Sequence, residues 1–151
     1  MSHSLVVNRL HCVFGTKNRS RGIPLDAQPR LWAFIGGIAR ENGMKAMAVG
    51  GAEDHVHLLL MVPPTLSVSK AMQLIKAGSS KWCNQNLKGP RFEWQRGYSA
   101  FSVGQSQVQT TIAYINNQRE HHKRRSLVDE MRAFAIRNGV SEEEFQSSLR
   151  D

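Results

Sequence analysis

The segment Asp54-His55-Val56-His57-Leu58-Leu59-Leu60-Met61-Val62-Pro63-Pro64 constrains the fold more than any other stretch of the chain. Its fully apolar run, Leu58 to Val62, is far shorter than the roughly 20 residues a membrane-spanning helix requires. The proline pair stops it, because proline has no N–H to give to a sheet ladder. The segment therefore reads as a strand from His55 to Val62. Residues two apart on a strand point to the same face. His55 and His57 project together, while Val56, Leu58 and Leu60 project oppositely into a core. Leu59 and Met61 follow the histidines, so two imidazoles enter a strand that is otherwise apolar on both faces. That costs stability unless something satisfies them. Two readings stand side by side: polar residues on the wetter face of a half-buried strand, or two corners of a metal site. A lone His-x-His does not separate them.

The rest of the chain supplies partners for this strand. Leu5 to Phe14 reads as a first strand and Lys17 to Pro24 as a basic loop. Ala27 to Asn42 has helical spacing in Leu31, Phe34, Ile35, Ile38 and Ala39, with Asp26 as N-cap and Gly43 as stop. Met44 to Val49 is a second strand, followed by a turn over Gly50 to Asp54. Ser67 to Gln85 is a second helix, Tyr98 to Val103 a fourth strand, and Gln107 to His122 a third helix. A fourth helix runs from Ser126 or Leu127 to about Asn138, and Ser141-Glu142-Glu143-Glu144 is a capping box for a short fifth. The order β-α-β-β-α-β predicts an α+β, ferredoxin-like antiparallel sheet with helices on one face. The additional C-terminal helices cover the other face or cross to a partner. A length of 151 residues suits a single domain over 1–151, with a core of about 4–125 and an extension of about 126–151. No signal-peptide pattern opens the chain, which reads as cytoplasmic. Cys12 and Cys83 are far apart, form no C-x-x-C pair and read as reduced thiols.

Net charge is +8. Between Lys81 and Arg125 lie eight basic and two acidic residues, so most of that excess sits in under a third of the chain. A cationic surface so concentrated suits a polyanionic partner such as nucleic acid. Phe92-Glu93-Trp94-Gln95-Arg96-Gly97-Tyr98 interleaves aromatic and basic residues, as readers of single strands do; Trp94 and Tyr98 serve equally well as core anchors. Further on, Tyr114 and Gln118 share one helix face, four residues apart, with His121 and His122 a turn beyond. A phenol becomes a useful nucleophile when placed in line with a phosphate whose charge a metal offsets. The plainer reading is a packed tyrosine and a solvated glutamine.

The combination resembles a known family, the insertion-sequence-200-like transposases, including the repeat-associated tyrosine transposases, within the HUH endonucleases. The resemblance runs through Phe14-Gly15-Thr16-Lys17-Asn18-Arg19, Asp54-His55-Val56-His57-Leu58-Leu59, Trp94-Gln95-Arg96-Gly97-Tyr98, Phe101-Ser102-Val103-Gly104 and Tyr114-Ile115-Asn116-Asn117-Gln118 with His121-His122. It implies that His55 and His57 bind a divalent metal, Mg²⁺ or Mn²⁺, with Gln118 as third ligand; the adjacent His121 is a less favoured substitute. It implies that Tyr114 is the single catalytic tyrosine, forming a 5′-phosphotyrosine intermediate during cleavage and strand transfer of single-stranded DNA beside a hairpin. It implies a homodimer, with the site completed in cis or in trans. Many relatives carry a tyrosine where this chain has Asn18. The residues expected to touch DNA are Lys17, Arg19, Arg91, Trp94, Arg96, Arg119, His121, His122, Lys123 and Arg124.

Two other classes compete. A ferredoxin-like module that binds single strands without cutting them uses the charge and aromatics but leaves the Tyr-Gln register unexplained. A metal-dependent hydrolase on His55 and His57 needs a general base, for which only Glu53 and Asp54 lie adjacent. A domesticated enzyme that processes host repeats shares the transposase chemistry.

Overall fold

Four strands, β1 (Arg9–Gly15), β2 (Lys45–Ala52), β3 (His55–Met61) and β4 (Ser99–Ser102), form one sheet in the order β2-β3-β1-β4. Every neighbouring pair is antiparallel. With helix α1 (Gln28–Glu41) between β1 and β2, and α2 (Val68–Asn86) between β3 and β4, this is the ferredoxin-like order the periodicities predict. The computed structural model describes residues 4–118 and 125–150. They fall into two compact units, 1–118 and 119–151.

Within the first unit, α1 and α2 cover one face of the sheet. Leu10, Cys12 and Phe14 of β1 and Val56, Leu58 and Leu60 of β3 meet Leu31, Ile35, Met72 and Ile75 there. Helix α3 (Val108–Asn116) lies on the opposite face, where Val108 and Ile115 pack with Ala48 and Leu59. The sheet is thus helix-covered on both sides rather than one. Burying apolar area on both faces accounts for the apolar residues that accompany the histidines of β3.

Several boundaries differ from the periodicity reading for local reasons. β1 begins at Arg9, and Leu5, Val6 and Val7 are exposed. A 3₁₀ turn over Leu25–Ala27 puts Ala27, not Asp26, at the N-cap of α1, and no side chain caps it. Pro29 stands in the first turn, where its missing N–H removes no helical bond. Ser67 caps α2 by accepting from Lys70 N. β2 continues to Ala52, so Gly50 and Gly51 are strand residues and the turn is Glu53-Asp54 alone. A bulge between Ala46 and Ala48 shifts the register of β2: Ala46 pairs with Leu60 and Ala48 with Leu59.

The second unit contains α4 (Leu127–Arg137) and α5 (Glu142–Ser148), capped by Ser126 and Ser141. Arg132 joins them, bonding Glu142 at 3.0 Å and lying over the Phe145 ring. Helix α3 ends at Asn116, with Asn117 as a non-helical C-cap, short of the predicted end at His122; Arg119, His121, His122, Lys123 and Arg124 lie outside the described residues. No helix among the described residues is long and apolar enough to cross a membrane.

Candidate active site

The site is built on the α3 side of the sheet. His55 and His57 point there from β3, and neither ring is exposed to solvent. Each offers a nitrogen within 4.8 Å of the other, so the pair could hold a metal ion. Their ring centroids are 5.2 Å apart and nearly perpendicular. Antiparallel pairing sets Gly15 of β1 opposite His55 and Gly50 of β2 opposite His57. Both imidazoles therefore have a strand neighbour with no side chain, and the space this frees is taken by Arg19 over Gly15 and by the Ile115 main chain over Gly50.

Helix α3 brings Tyr114 to the pair. Its ring centroid is 5.7 Å from that of His57, edge to face. One turn on, Gln118 is buried and its Oε1 lies 3.0 Å from His55 Nε2. Its Nε2 reaches back to the Tyr114 carbonyl at 3.4 Å, which aims Oε1 at the imidazole. The four residues joined by resemblance, His55, His57, Tyr114 and Gln118, thus meet within residues 1–118.

The donor set suits a cation. His55 Nδ1 donates to Asp54 Oδ1 at 2.8 Å, since a carboxylate only accepts. The neutral imidazole then turns a lone pair on Nε2 toward the lone pairs of Gln118 Oε1. Two acceptors at that distance need positive charge between them, a second proton or a metal ion. Imidazole nitrogen and amide oxygen are ligands that Mg²⁺ and Mn²⁺ accept.

Three contributors escaped the sequence reading. His11 of β1 is buried, and its Nε2 lies 2.8 Å from His57 Nδ1. Its ring also meets Tyr114 edge to face, centroids 6.1 Å apart. Asp54, by position a candidate base, orients His55 instead. Gly50, a turn residue by composition, is a strand residue over which the backbone of α3 passes, where a Cβ would collide with the Ile115 carbonyl. The alternation of β1, with Leu10, Cys12 and Phe14 on one face, is the signal that sets His11 on the other.

The expected DNA-contacting residues are dispersed. Exposed Lys17 pairs with Glu93 at 3.1 Å, and Arg91 approaches the same carboxylate at 4.0 Å. Arg96 is exposed. Trp94 packs edge to face against Phe14 and Phe92, at 4.7 and 4.8 Å, and its Nε1 donates to Ser79 Oγ. Lys76 holds the loop after it, donating to the carbonyls of Gln95 and Gly97. Arg19 folds back over Gly15, whose Cβ would strike its Nη1. That guanidinium nitrogen is buried and has no hydrogen-bond partner among the described residues. Burial pushes the Arg19 pKa down, and the charge of Asp54 opposes the shift.

Comparison with known proteins extends beyond the geometry. Residues 5–118 match the family model described as "Transposase IS200 like". The chain is 25% identical over 129 residues to the insertion sequence IS200 transposase of Salmonella typhimurium LT2, covering 82% of this chain and 84% of that one. The Salmonella typhi protein matches equally. A crystal structure from Deinococcus radiodurans R1, described as a candidate transposase, superposes with a TM-score of 0.63 at 22% identity, over 77% of this chain and 96% of that one. A REP-associated tyrosine transposase bound to a REP hairpin gives 0.54 at 15% identity, over 76% and 70%.

Proposed function

This chain belongs to the IS200-like transposase family, and from that premise we propose that it cleaves and rejoins single-stranded DNA with Tyr114 as nucleophile. The observation that carries the reading is the meeting of Tyr114 with His57, at 5.7 Å between ring centroids, beside the His55–Gln118 contact. A tyrosine that only packed a core would not need two buried imidazoles and a buried amide as neighbours.

His55, His57 and Gln118 are the ligands we assign. Bound there, Mg²⁺ or Mn²⁺ supplies positive charge that polarises the scissile phosphate. Tyr114 Oη forms a bond to phosphorus as the bond from phosphorus to the 3′ oxygen breaks. The phenol loses a proton and the departing strand gains one, leaving a 5′-phosphotyrosine and a free 3′-hydroxyl. The phosphodiester's energy stays in the covalent link, so a second 3′-hydroxyl can reverse the step on a new strand without ATP. His55 and His57, on a rigid strand, and Tyr114, on a helix resting against the same sheet, keep the reacting groups in register.

The DNA substrate we assign carries a hairpin, by analogy with the REP-associated relative bound to one. Lys17, Arg19, Arg91 and Arg96, with the basic stretch containing Arg119, His121, His122, Lys123 and Arg124, would hold phosphates. Such contacts position DNA, and sequence choice comes from bases or hairpin shape. The working unit is a homodimer.

The test is denaturing electrophoresis of the protein with Mn²⁺ and labelled single-stranded oligonucleotides from the flanks of its own gene. A slow-moving covalent adduct is expected, absent in Tyr114→Phe and in chelator. DNA that is bound but never attached would replace this reading with a binding module, and release of a free 5′-phosphate would replace it with a hydrolase.

A further inference from the structure

We infer that His11 is a positioning residue for His57, the neutral acceptor that turns His57 Nε2 toward the metal. The inference rests on the metal reading above. His11 stands in the middle of β1, on the sheet face it shares with Val13, which is paired with His57. It is 2% exposed, and its Nε2 lies 2.8 Å from His57 Nδ1. The two rings are tilted by 38° with centroids 5.0 Å apart, so the contact is made through the nitrogens and not by stacking.

One proton occupies that bond. If His11 Nε2 carries it, neutral His57 keeps its own proton on Nε2 and cannot ligate through that atom. If His57 Nδ1 carries it, His57 Nε2 presents a lone pair and His11 is protonated on Nδ1 instead. Ligation by His57 therefore requires His11 to accept. Asp54 does the same for His55, accepting from its Nδ1 at 2.8 Å. Both members of the pair are thus held at Nδ1 by an outer partner, and both direct Nε2 inward. Outer partners of ligating histidines fix tautomer and orientation, and losing one typically costs about 10–100-fold in metal affinity. The two partners differ in charge. A carboxylate backs His55 and a neutral imidazole backs His57.

The experiment measures Mn²⁺ affinity of the full chain without DNA, from the spin-resonance signal of free Mn²⁺. His11→Leu should bind about 10–100-fold more weakly than wild type. His11→Gln, whose Oε1 can accept, should recover most of that loss. Equal affinity in His11→Leu, or an equal loss in both variants, would reduce His11 to packing and overturn the inference. Should His11→Leu not fold, ¹⁵N-histidine spectra of wild type with diamagnetic Mg²⁺ decide. His11 must be the neutral tautomer protonated on Nδ1; protonation on Nε2 overturns the inference. A wild-type chain that binds no Mn²⁺ would instead sink the metal reading itself, and the inference with it.

Discussion

Gly50 of β2 carries the main chain of Ile115 in α3 at a separation that no other residue would allow, since a Cβ at Gly50 would collide with the Ile115 carbonyl. Gly50 also pairs with His57, and Ile115 follows Tyr114. The height of the tyrosine above the histidine pair is therefore set by a missing side chain. Gly50→Ala should push α3 outward and cost about 1–3 kcal/mol, as overpacking does. Misplacing a nucleophile by about 1 Å can cost about 100-fold in rate, so adduct formation should fall far more than DNA binding. Thermal melts, binding titrations and adduct time courses report the three effects. An unchanged adduct rate would show that α3 does not rely on this contact.

Asp54 acts on two neighbours. It accepts from His55 Nδ1, and its charge favours protonation of Arg19. Asp54→Asn keeps the shape and removes the charge. The turn should persist, because it is the Asp54 main-chain oxygen that accepts from Thr16 N. Mn²⁺ affinity should drop, by less than the about 10–100-fold that losing an outer partner costs, because Asn Oδ1 still accepts from His55 Nδ1 and only the charge is gone; titration of the folded variant measures it. Wild-type affinity in a folded Asn variant would mean that His55 needs no charged partner.

The parts of the site that depend on spacing along one element were legible in the sequence. His55 and His57 share a face by the period of a strand, and helical spacing puts Gln118 one turn from Tyr114 although α3 ends at Asn116 between them. The parts that depend on pairing between elements were not. His11 is a lone histidine in an alternating strand, and only the β1–β3 register brings it to His57. Gly50-Gly51 carries turn chemistry by composition, and only the arrival of α3 explains glycine inside a strand. Trp94 sits in a basic loop that suggests base stacking, yet Phe14 and Ser79, both distant in sequence, and the neighbouring Phe92 engage its ring. Asp26 has the residue type of a cap, but the 3₁₀ turn moves the helix start past it.

Burial pushes both cysteine thiols up from 9.0 to about 12. The folded chain resists thiolate formation, while the unfolded chain ionises near the ordinary value. The contribution to stability is fully present below about pH 9 and is lost as the pH rises toward about 12. Denaturation midpoints should therefore decline across that alkaline window, and less steeply in Cys12→Ala when each variant is referred to its own neutral value. Thiol reagents at about pH 8, where a free cysteine is partly thiolate, should label neither residue until the chain unfolds. Rapid labelling of the folded protein would contradict the burial.

Arg19 is held in a costly arrangement. Asn18 and Arg19 both have positive φ, 58° and 54°, a left-handed conformation that is uncommon for residues other than glycine. The guanidinium they deliver lies over Gly15, on the side of the sheet to which the opposite residue, His55, projects. Its Nη1 is buried without a hydrogen-bond partner among the described residues. Such a charge is expensive for folding and well placed for a phosphate entering beside the histidine pair. Arg19→Gln should leave stability unchanged or raised, because the desolvated charge is gone. It should weaken single-strand binding and reduce the slope of log K against log salt by about 0.7, the value for one phosphate contact on a single strand. Adduct formation should slow as well. Arg19→Lys should restore most of the salt slope but less of the rate, since an ammonium lacks the planar fork that engages two phosphate oxygens. A glutamine variant that is less stable yet binds DNA with the wild-type salt slope would make Arg19 a structural residue, with Asp54 as its reason for being there.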